Sequence, residues 1–190
     1  MKSLKTRFTE AIKQTAGFRI IAPTRLQSVI LQAIKDNDAE TIKSYLRSYS
    51  FTSLFNFACA KCQNAEILQM MIDDGADVNQ QDRYGKTPLH IMIKQQKFAI
   101  GIALLLKNGA NADLQDNKGN TPLMCLLNDK LIDERADEFA ILLKATDVTI
   151  QNKKGLNALF YAKNNHQLHN QSLLAELQEQ YNQQIRSRAP

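Results

Sequence analysis

The apolar positions in the central part of the chain recur with the period of an amphipathic helix. Three longer runs, EILQMMIDD, AIGIALLLKN and EFAILLK, lie at residues 66–74, 99–108 and 138–144. Three shorter runs, LHIMIKQQ, LMCLLND and LFYAKNN, lie at residues 89–96, 123–129 and 159–165. Apolar residues three and four positions apart form one face of a helix. The pattern therefore predicts an all-α fold in which short and longer helices alternate.

The polar stretches between these helices repeat. GADVNQQDRYGKTPLH, GANADLQDNKGNTPLM and ATDVTIQNKKGLNALF begin at residues 75, 109 and 145 and align column by column, at spacings of 34 and 36 residues. A period of this size is typical of stacked units, because a single unit cannot bury its own apolar face. We therefore predict a solenoid in which each unit contains a short helix, a tight turn, a longer helix and an extended loop with glycine near its tip. The leucines at 104, 105, 142 and 143 are expected to point into the cores between units.

The most complete copy resembles an ankyrin repeat. Residues 87–90 read Thr-Pro-Leu-His and residues 75–79 read Gly-Ala-Asp-Val-Asn, both of which are motifs of that family. The resemblance implies an ankyrin-repeat solenoid of about five helix-turn-helix units with short β-turn or hairpin loops. The expected units are 24–50, 53–82, 85–116, 119–152 and 155–185, after an N-terminal helix or cap at 1–23 and before a short tail at 186–190.

The unit at 119–152 is longer than the 33-residue norm of ankyrin repeats. Its extra length falls between the two helices, in NDKLIDERADE at residues 128–138. That stretch carries five acidic residues, Asp129, Asp133, Glu134, Asp137 and Glu138. We expect it to lengthen a helix or to bulge the turn, and to form an acidic edge.

The net charge of +5 is confined to the start of the chain. Residues 1–25, here called the N-terminal arm, hold six basic residues against Glu10 alone, and the rest of the chain carries 18 basic and 18 acidic side chains. Within residues 1–20 the apolar positions fall on one helical face. The arm is interpreted either as a cap on the apolar flank of the first unit or as a membrane-surface or targeting helix. No nucleic-acid partner is expected, because the chain has no second basic region.

Catalytic and metal-binding chemistry finds little support in the sequence. Cys59 and Cys62 form a C-x-x-C, but no second pair supplies the remaining ligands for zinc. We interpret these cysteines as packing residues, and the resemblance implies that His90 has a structural role in bonding loop backbone. An odd number of cysteines suits reduced thiols in a cytosol. We therefore expect no enzyme activity, no catalytic residues, no metal and no cofactor.

The loop tips are the candidate binding surface. Each tip carries at least one basic residue, and tips not needed for stacking are available to a partner. One interpretation is that they are merely solvated; the other is a basic row that contains a tyrosine and binds an acidic or phosphorylated protein. The candidate residues are Arg83, Tyr84, Lys86, Lys94, Lys118, Asn120, Lys153 and Lys154.

The function expected from these features is a non-catalytic protein-protein interaction module, monomeric and cytoplasmic, that binds through its concave face and loop tips. The alternative is a membrane-associated adaptor that docks through residues 1–20. Ankyrin-like proteins occur in eukaryotes and in bacteria that live inside host cells. The Lys-, Asn-, Gln- and Ile-rich composition favours the second source, which leaves open an effector delivered into a host cell.

Overall fold

The structure is a computed structural model and describes residues 32–33, 36, 38–46, 52–62, 64–94, 99–166 and 168–188. Over these residues it contains nine α-helices and one 3-10 helix and no strand, which confirms the all-α prediction. The helices are α1 Ala39–Leu46, α2 Thr52–Lys61, α3 Ala65–Asp73, α4 Pro88–Ile93, α5 Ala99–Lys107, α6 Pro122–Leu127, α7 Ala136–Ala145, α8 Ala158–Asn164 and α9 Gln171–Ser187. The 3-10 helix, Ile132–Glu134, lies between α6 and α7.

The helices stack in two rows. Helices α2, α4, α6 and α8 pack successively against one another in the first row, and α1, α3, α5, α7 and α9 do so in the second. Each first-row helix also packs against the second-row helix that follows it in the chain, as α4 does on α5. Such contacts between successive units define a solenoid, and they confirm the predicted stacking of helix-turn-helix units.

Prolines and polar caps determine where the short helices begin. Pro88 and Pro122 occupy the first turns of α4 and α6, where a missing backbone N–H costs no hydrogen bond. Thr121 Oγ1 accepts a backbone N–H of α6 at 3.4 Å, and Asn157 Oδ1 accepts one of α8 at 3.0 Å. The apolar faces of these helices then lie between the two rows, where their burial stabilises the fold.

The cores between units contain three of the four predicted leucines. Leu105, Leu142 and Leu143 are buried, whereas Leu104 is only half-buried. Ile102 takes the central position instead, because it lies three residues before Leu105 and therefore shares its helical face. The prediction is confirmed for Leu105, Leu142 and Leu143, and Leu104 is partly buried and packs against the same core.

The insertion at 128–138 forms a bulged turn, as one of the two predicted alternatives. It contains the 3-10 helix, and the side chain of Ile132 there is fully buried. The guanidinium of Arg135 is also buried; it donates to the Ile93 carbonyl at 2.5 Å and to Asp129 Oδ2 at 3.0 Å. Asp133 accepts the backbone N–H groups of residues 169 and 170 from the following unit. Of the expected acidic edge, Asp129 and Asp133 accept hydrogen bonds at half-buried positions, Glu138 is buried, and Glu134 and Asp137 are exposed.

Several predictions fall outside the described part of the chain. The N-terminal helix or cap at 1–23 and much of the unit at 24–50 lie outside the described residues. The bounds of the five units stay predictions. Among the described helices, none is both long enough and apolar enough to span a bilayer.

Candidate binding groove

Each loop tip is a turn organised by one side chain. In the first tip the Asp82 N–H donates to the Lys86 carbonyl at 2.9 Å, and the Gly85 N–H donates to the Asp82 carbonyl at 2.9 Å. Asp82 Oδ1 accepts the N–H groups of Tyr84 and Lys86 at 2.8 and 2.9 Å. An aspartate stabilises a turn in this way because its short side chain reaches the backbone two residues further on. The carboxylate of Asp82 is therefore engaged by the turn.

The second and third tips repeat this geometry with one change. Asp116 Oδ1 accepts the N–H groups of Lys118 and Asn120 at 2.8 and 2.9 Å. Asn152 takes the same place in the third tip, where its Nδ2 also donates to Asn120 Oδ1 at 2.8 Å and to the Tyr161 hydroxyl at 2.9 Å. Asparagine thus keeps the turn and adds two donor contacts to its surroundings, which a carboxylate cannot do.

Backbone hydrogen bonds join the tips into a row. The Asn117 N–H donates to the Tyr84 carbonyl at 2.9 Å, and the Lys153 N–H donates to the Lys118 carbonyl at 3.1 Å. Behind them the side chain of Gln81 donates to the Gln115 carbonyl, and that of Gln115 donates to the Gln151 carbonyl, both at 2.9 Å. The candidate residues on the tips are therefore held at fixed spacing by contacts that do not involve their own side chains.

His90 connects the unit that contains α4 to the next tip. Its Nε2 lies 2.9 Å from the Asn120 carbonyl oxygen, so Nε2 carries the proton and donates. Its Nδ1 then accepts the Thr87 N–H at 3.2 Å. Burial lowers the pKa of His90, against the opposing effect of its bond to the Asn120 carbonyl. The predicted structural role of His90, bonding loop backbone, is confirmed.

A groove of about 830 Å³ lies between the first two of these tips and the helices α4 and α6. Five of the eight candidate residues line it, namely Tyr84, Lys86, Lys94, Lys118 and Asn120. Arg83, Lys153 and Lys154 lie on the same row of tips outside this groove. The tips and the ends of the first-row helices thus converge on one concavity, which no column of the sequence alignment shows by itself.

The groove carries an excess of positive charge. Four lysines line it, Lys86, Lys94, Lys118 and Lys130, together with Asp116 and Asp129. Both carboxylates have other partners, since Asp116 accepts backbone N–H groups and Asp129 pairs with Arg135 at 3.0 Å. In the described part of the chain no carboxylate forms a salt bridge with any of the four lysines. Their ammonium groups are available to an anionic ligand.

Lys86 and Lys94 line the same groove and lie close enough to interact. The neighbouring Lys86 side chain is the main cause that lowers the pKa of Lys94 below its usual value. Lys86 is half-buried and Lys94 is exposed, so both ammonium groups are accessible from the groove. The Cys125 thiol on the same wall stays neutral, because burial raises its pKa to about 11.

Tyr84 and Arg83 form the rim of the groove. The Tyr84 side chain is 54% exposed, and the guanidinium carbon of Arg83 lies 4.7 Å from the centre of its ring. This cation–π contact holds a large side chain open to solvent beside the lysines. Asn120 is less available, because its Oδ1 already accepts from Asn152 and from the Tyr161 hydroxyl.

Lys130 and Asn128 line the groove but were not among the candidate residues. Both belong to the insertion at 128–138, which contains five acidic residues and a single lysine. A signal was present in the alignment, since Asn128 occupies the column of Lys94 at the end of the short helix. Residues in one column of stacked repeats lie on the same surface, so the alignment places Asn128 on the surface that carries Lys94.

The two cysteines of the C-x-x-C motif belong to the core. Cys59 lies on the first-row helix α2 and Cys62 directly after it; both are buried, and burial is the main cause that raises the pKa of each thiol. No group of three or more His, Cys, Asp or Glu side chains in the described ranges is placed to hold a metal ion.

Comparison with known families identifies the repeats. Residues 55–133 match the family model described as ankyrin repeats in three copies. The matched range contains all the residues that line the groove. Comparison with the curated proteins found no match.

Proposed function

We propose that the groove binds an acidic segment of a partner protein. It lies within the ankyrin repeats matched at residues 55–133, and such repeats generally serve as protein-protein interaction modules. The binding is non-catalytic. Lys86, Lys94, Lys118 and Lys130 supply the charge, and Tyr84 with Arg83 supplies an anchor at the rim. Tyrosine and arginine are common anchors in interfaces because they bury a large area with few rotatable bonds.

One observation carries this proposal: four lysines line a single concavity whose two carboxylates have other partners. Asp116 accepts backbone N–H groups of its own turn and Asp129 pairs with Arg135, so the four lysines outnumber the carboxylates of the groove and form no salt bridge with them. Complementary charge across an interface speeds association and excludes partners of the wrong sign. An acidic segment fits the groove on both counts.

The test is selection of a displayed library of random peptides on the wild-type chain. We expect enriched peptides to be rich in Asp and Glu, and to lose at least about tenfold in affinity on the double variant Lys86→Glu/Lys94→Glu. The matched control is Lys107→Glu/Lys144→Glu, which places the same charges on exposed positions of α5 and α7 in the second row. Enrichment of neutral or basic peptides, or equal losses in the two double variants, would contradict the proposal.

The contending function, an adaptor at a membrane, rests on the basic N-terminal arm and not on the groove. It predicts that the chain sediments with anionic phospholipid vesicles and that Lys2→Gln/Lys5→Gln/Arg7→Gln abolishes this binding. The groove variant Lys86→Glu/Lys94→Glu should then sediment as the wild type does. The same assay therefore separates the two functions.

A further inference from the structure

The strongest feature of the groove is a pair of like charges held together by the fold. Lys86 follows the first loop tip and Lys94 follows the last residue of α4, so two different elements bring their side chains to one place. Both side chains line the groove, and the proximity of Lys86 lowers the pKa of Lys94. Like charges at close range oppose folding unless another part of the site compensates for them.

The nearby carboxylates compensate for this repulsion only in part, since the attraction of Asp82 raises the pKa of Lys94 by less than Lys86 lowers it. Asp82 accepts two backbone N–H groups of its own turn, and Asp116 does the same in the next tip. Asp129 is paired with the buried guanidinium of Arg135, which is anchored in turn on the carbonyl of Ile93, the residue before Lys94. Arg135 thereby holds the negative charge of the insertion away from the lysine pair. A bound anion would supply the remaining negative charge.

The charge of that ligand follows from the geometry. A single carboxylate brings one negative charge and neutralises one ammonium group, which leaves the other repelled. A phosphate monoester brings a charge of about −1.5 to −2 at neutral pH on three oxygens around one atom, so it can accept hydrogen bonds from two ammonium groups at once. A dianion therefore suits the pair better than an aspartate or glutamate does.

We propose that Lys86 and Lys94 form a phosphate-binding subsite of the groove, and that the partner segment places a phosphorylated side chain there. This inference rests on the function proposed above. Lys118 and Lys130, which line the same groove, would meet acidic residues that flank the phosphorylated position, and Tyr84 would contact the chain of the segment at the rim.

The shape of the groove favours a peptide over other carriers of phosphate. The lysines line a concavity of about 830 Å³ between two tips and two helices, and an extended segment can enter such a space. A bilayer surface meets protruding residues more readily than recessed ones. A nucleic acid would need basic residues along its backbone, whereas residues 26–190 carry equal numbers of acidic and basic side chains.

The decisive experiment compares three degenerate peptide libraries that differ only at a central position, which is phosphoserine, glutamate or serine. Binding of each to the full chain is measured by fluorescence anisotropy for the wild type, Lys94→Met and the control Lys107→Met. We expect the phosphoserine library to bind the wild type at least about tenfold more tightly than the glutamate library, and Lys94→Met to abolish this preference. Lys107→Met should keep it. Inorganic phosphate should displace the phosphoserine library from the wild type and shift the amide resonances of Lys86 and Lys94.

Several results would overturn the inference. Equal affinity for the phosphoserine and glutamate libraries would remove the dianion subsite and leave the acidic-segment function standing. A preference that survives in Lys94→Met, with circular dichroism showing a folded variant, would place the phosphate elsewhere. Vesicles of phosphatidylcholine with a phosphoinositide and a single-stranded oligonucleotide test other carriers of phosphate. If either bound more tightly than the phosphoserine library, and this binding required Lys94, a protein would not be the source of the phosphate. Failure of every library, together with failure of the displayed-peptide selection, would reject the proposed function itself.

Discussion

Gly119 and Gly155 occupy the same column of successive loop tips but have different surroundings. Both adopt a left-handed backbone, with φ of +81° and +73°. A Cβ added at Gly119 would lie 2.6 Å from the backbone nitrogen of Lys153, because the next tip stacks on it. At Gly155 no atom lies within 4 Å of such a Cβ. Gly119 therefore meets two requirements, a left-handed backbone and a close approach of the next tip, whereas Gly155 meets only the first.

We predict that Gly119→Ala destabilises the protein more than Gly155→Ala does. The second substitution should cost about 1–2 kcal/mol, the usual penalty for a side chain in the left-handed region. The first adds a clash with backbone that cannot move without disturbing the hydrogen bond from Lys153 to the Lys118 carbonyl. Urea denaturation followed by circular dichroism measures both free energies of unfolding. Equal losses would show that the tips can separate without cost.

The lysine pair makes a second prediction at this scale. In Lys86→Met the pKa of Lys94 should rise towards the usual value of about 10.4, because the principal cause of its lowering is gone. The lowered pKa also determines how the stability of the fold changes with pH. A lysine whose pKa is lower in the folded than in the unfolded state makes folding less favourable while it is charged, and stability then rises as pH passes through the lowered pKa. NMR titration of the Lys94 side chain is the measurement, with Lys107→Met as the control that should leave its pKa unchanged.

At the scale of elements, the insertion at 128–138 acts as a brace between units. It places Arg135, only 2% exposed, against the end of α4, and Glu138 on the first turn of α7 lies with its Oε1 3.8 Å from the Arg135 Nε. Removing one partner of a buried ion pair is costly, because the other charge stays buried without compensation. The insertion is therefore part of the interface that forms one wall of the groove.

Arg135→Met should destabilise the protein by about 3–5 kcal/mol, since it leaves Glu138 buried without its guanidinium. The double variant Arg135→Met/Glu138→Met should recover part of that loss, because both charges are then replaced by apolar side chains of similar volume. Thermal and urea unfolding of the two single variants and the double variant form the cycle that measures this coupling. Additive losses would show that the two side chains do not interact.

At the scale of the whole molecule, positive charge is concentrated in two places, the N-terminal arm and the groove. Residues 26–190 carry equal numbers of acidic and basic side chains. The positive charge of the groove is therefore a local excess produced by folding and not by composition. A concave surface with charge of one sign focuses its field and raises the rate at which oppositely charged ligands arrive.

The association rate of an acidic peptide from the displayed library should therefore fall as salt rises, because the Debye length shortens from about 8 Å at physiological ionic strength to about 3 Å at 1 M. Lys86→Glu/Lys94→Glu should flatten or reverse this dependence, measured by stopped-flow fluorescence. Tyr84→Ala should instead raise the dissociation rate and keep the slope, since it removes an anchor and no charge. If Lys2→Gln/Lys5→Gln/Arg7→Gln flattened the slope as strongly as the groove variant does, the arm and not the groove would be the source of the field.

Much of the architecture could be predicted because it is encoded in short-range patterns. The apolar period located the helices within a few residues, as for the run at 99–108 and α5 at Ala99–Lys107. The lower burial of Leu104 compared with Leu105 has a simple cause: adjacent leucines lie about 100° apart on a helix, and only contact with the neighbouring units decides which of them is more deeply buried. The role of Arg135 was not visible either, since nothing in a single sequence pairs it with a carbonyl 42 residues earlier.

What the sequence determined by itself was the repeating unit: its helices, its capped and glycine-containing turns, and hence a stacked all-α solenoid, because each of these depends on residues close together in the chain. The tertiary structure decided which charges meet. Lys86, Lys94, Lys118 and Lys130 come from four segments and converge only when two units stack. The same stacking brings Arg135, which pairs with Asp129 of its own insertion, to the carbonyl of Ile93. Charge interactions depend on distance in space and on which partners are already engaged, and neither quantity exists before the chain has folded.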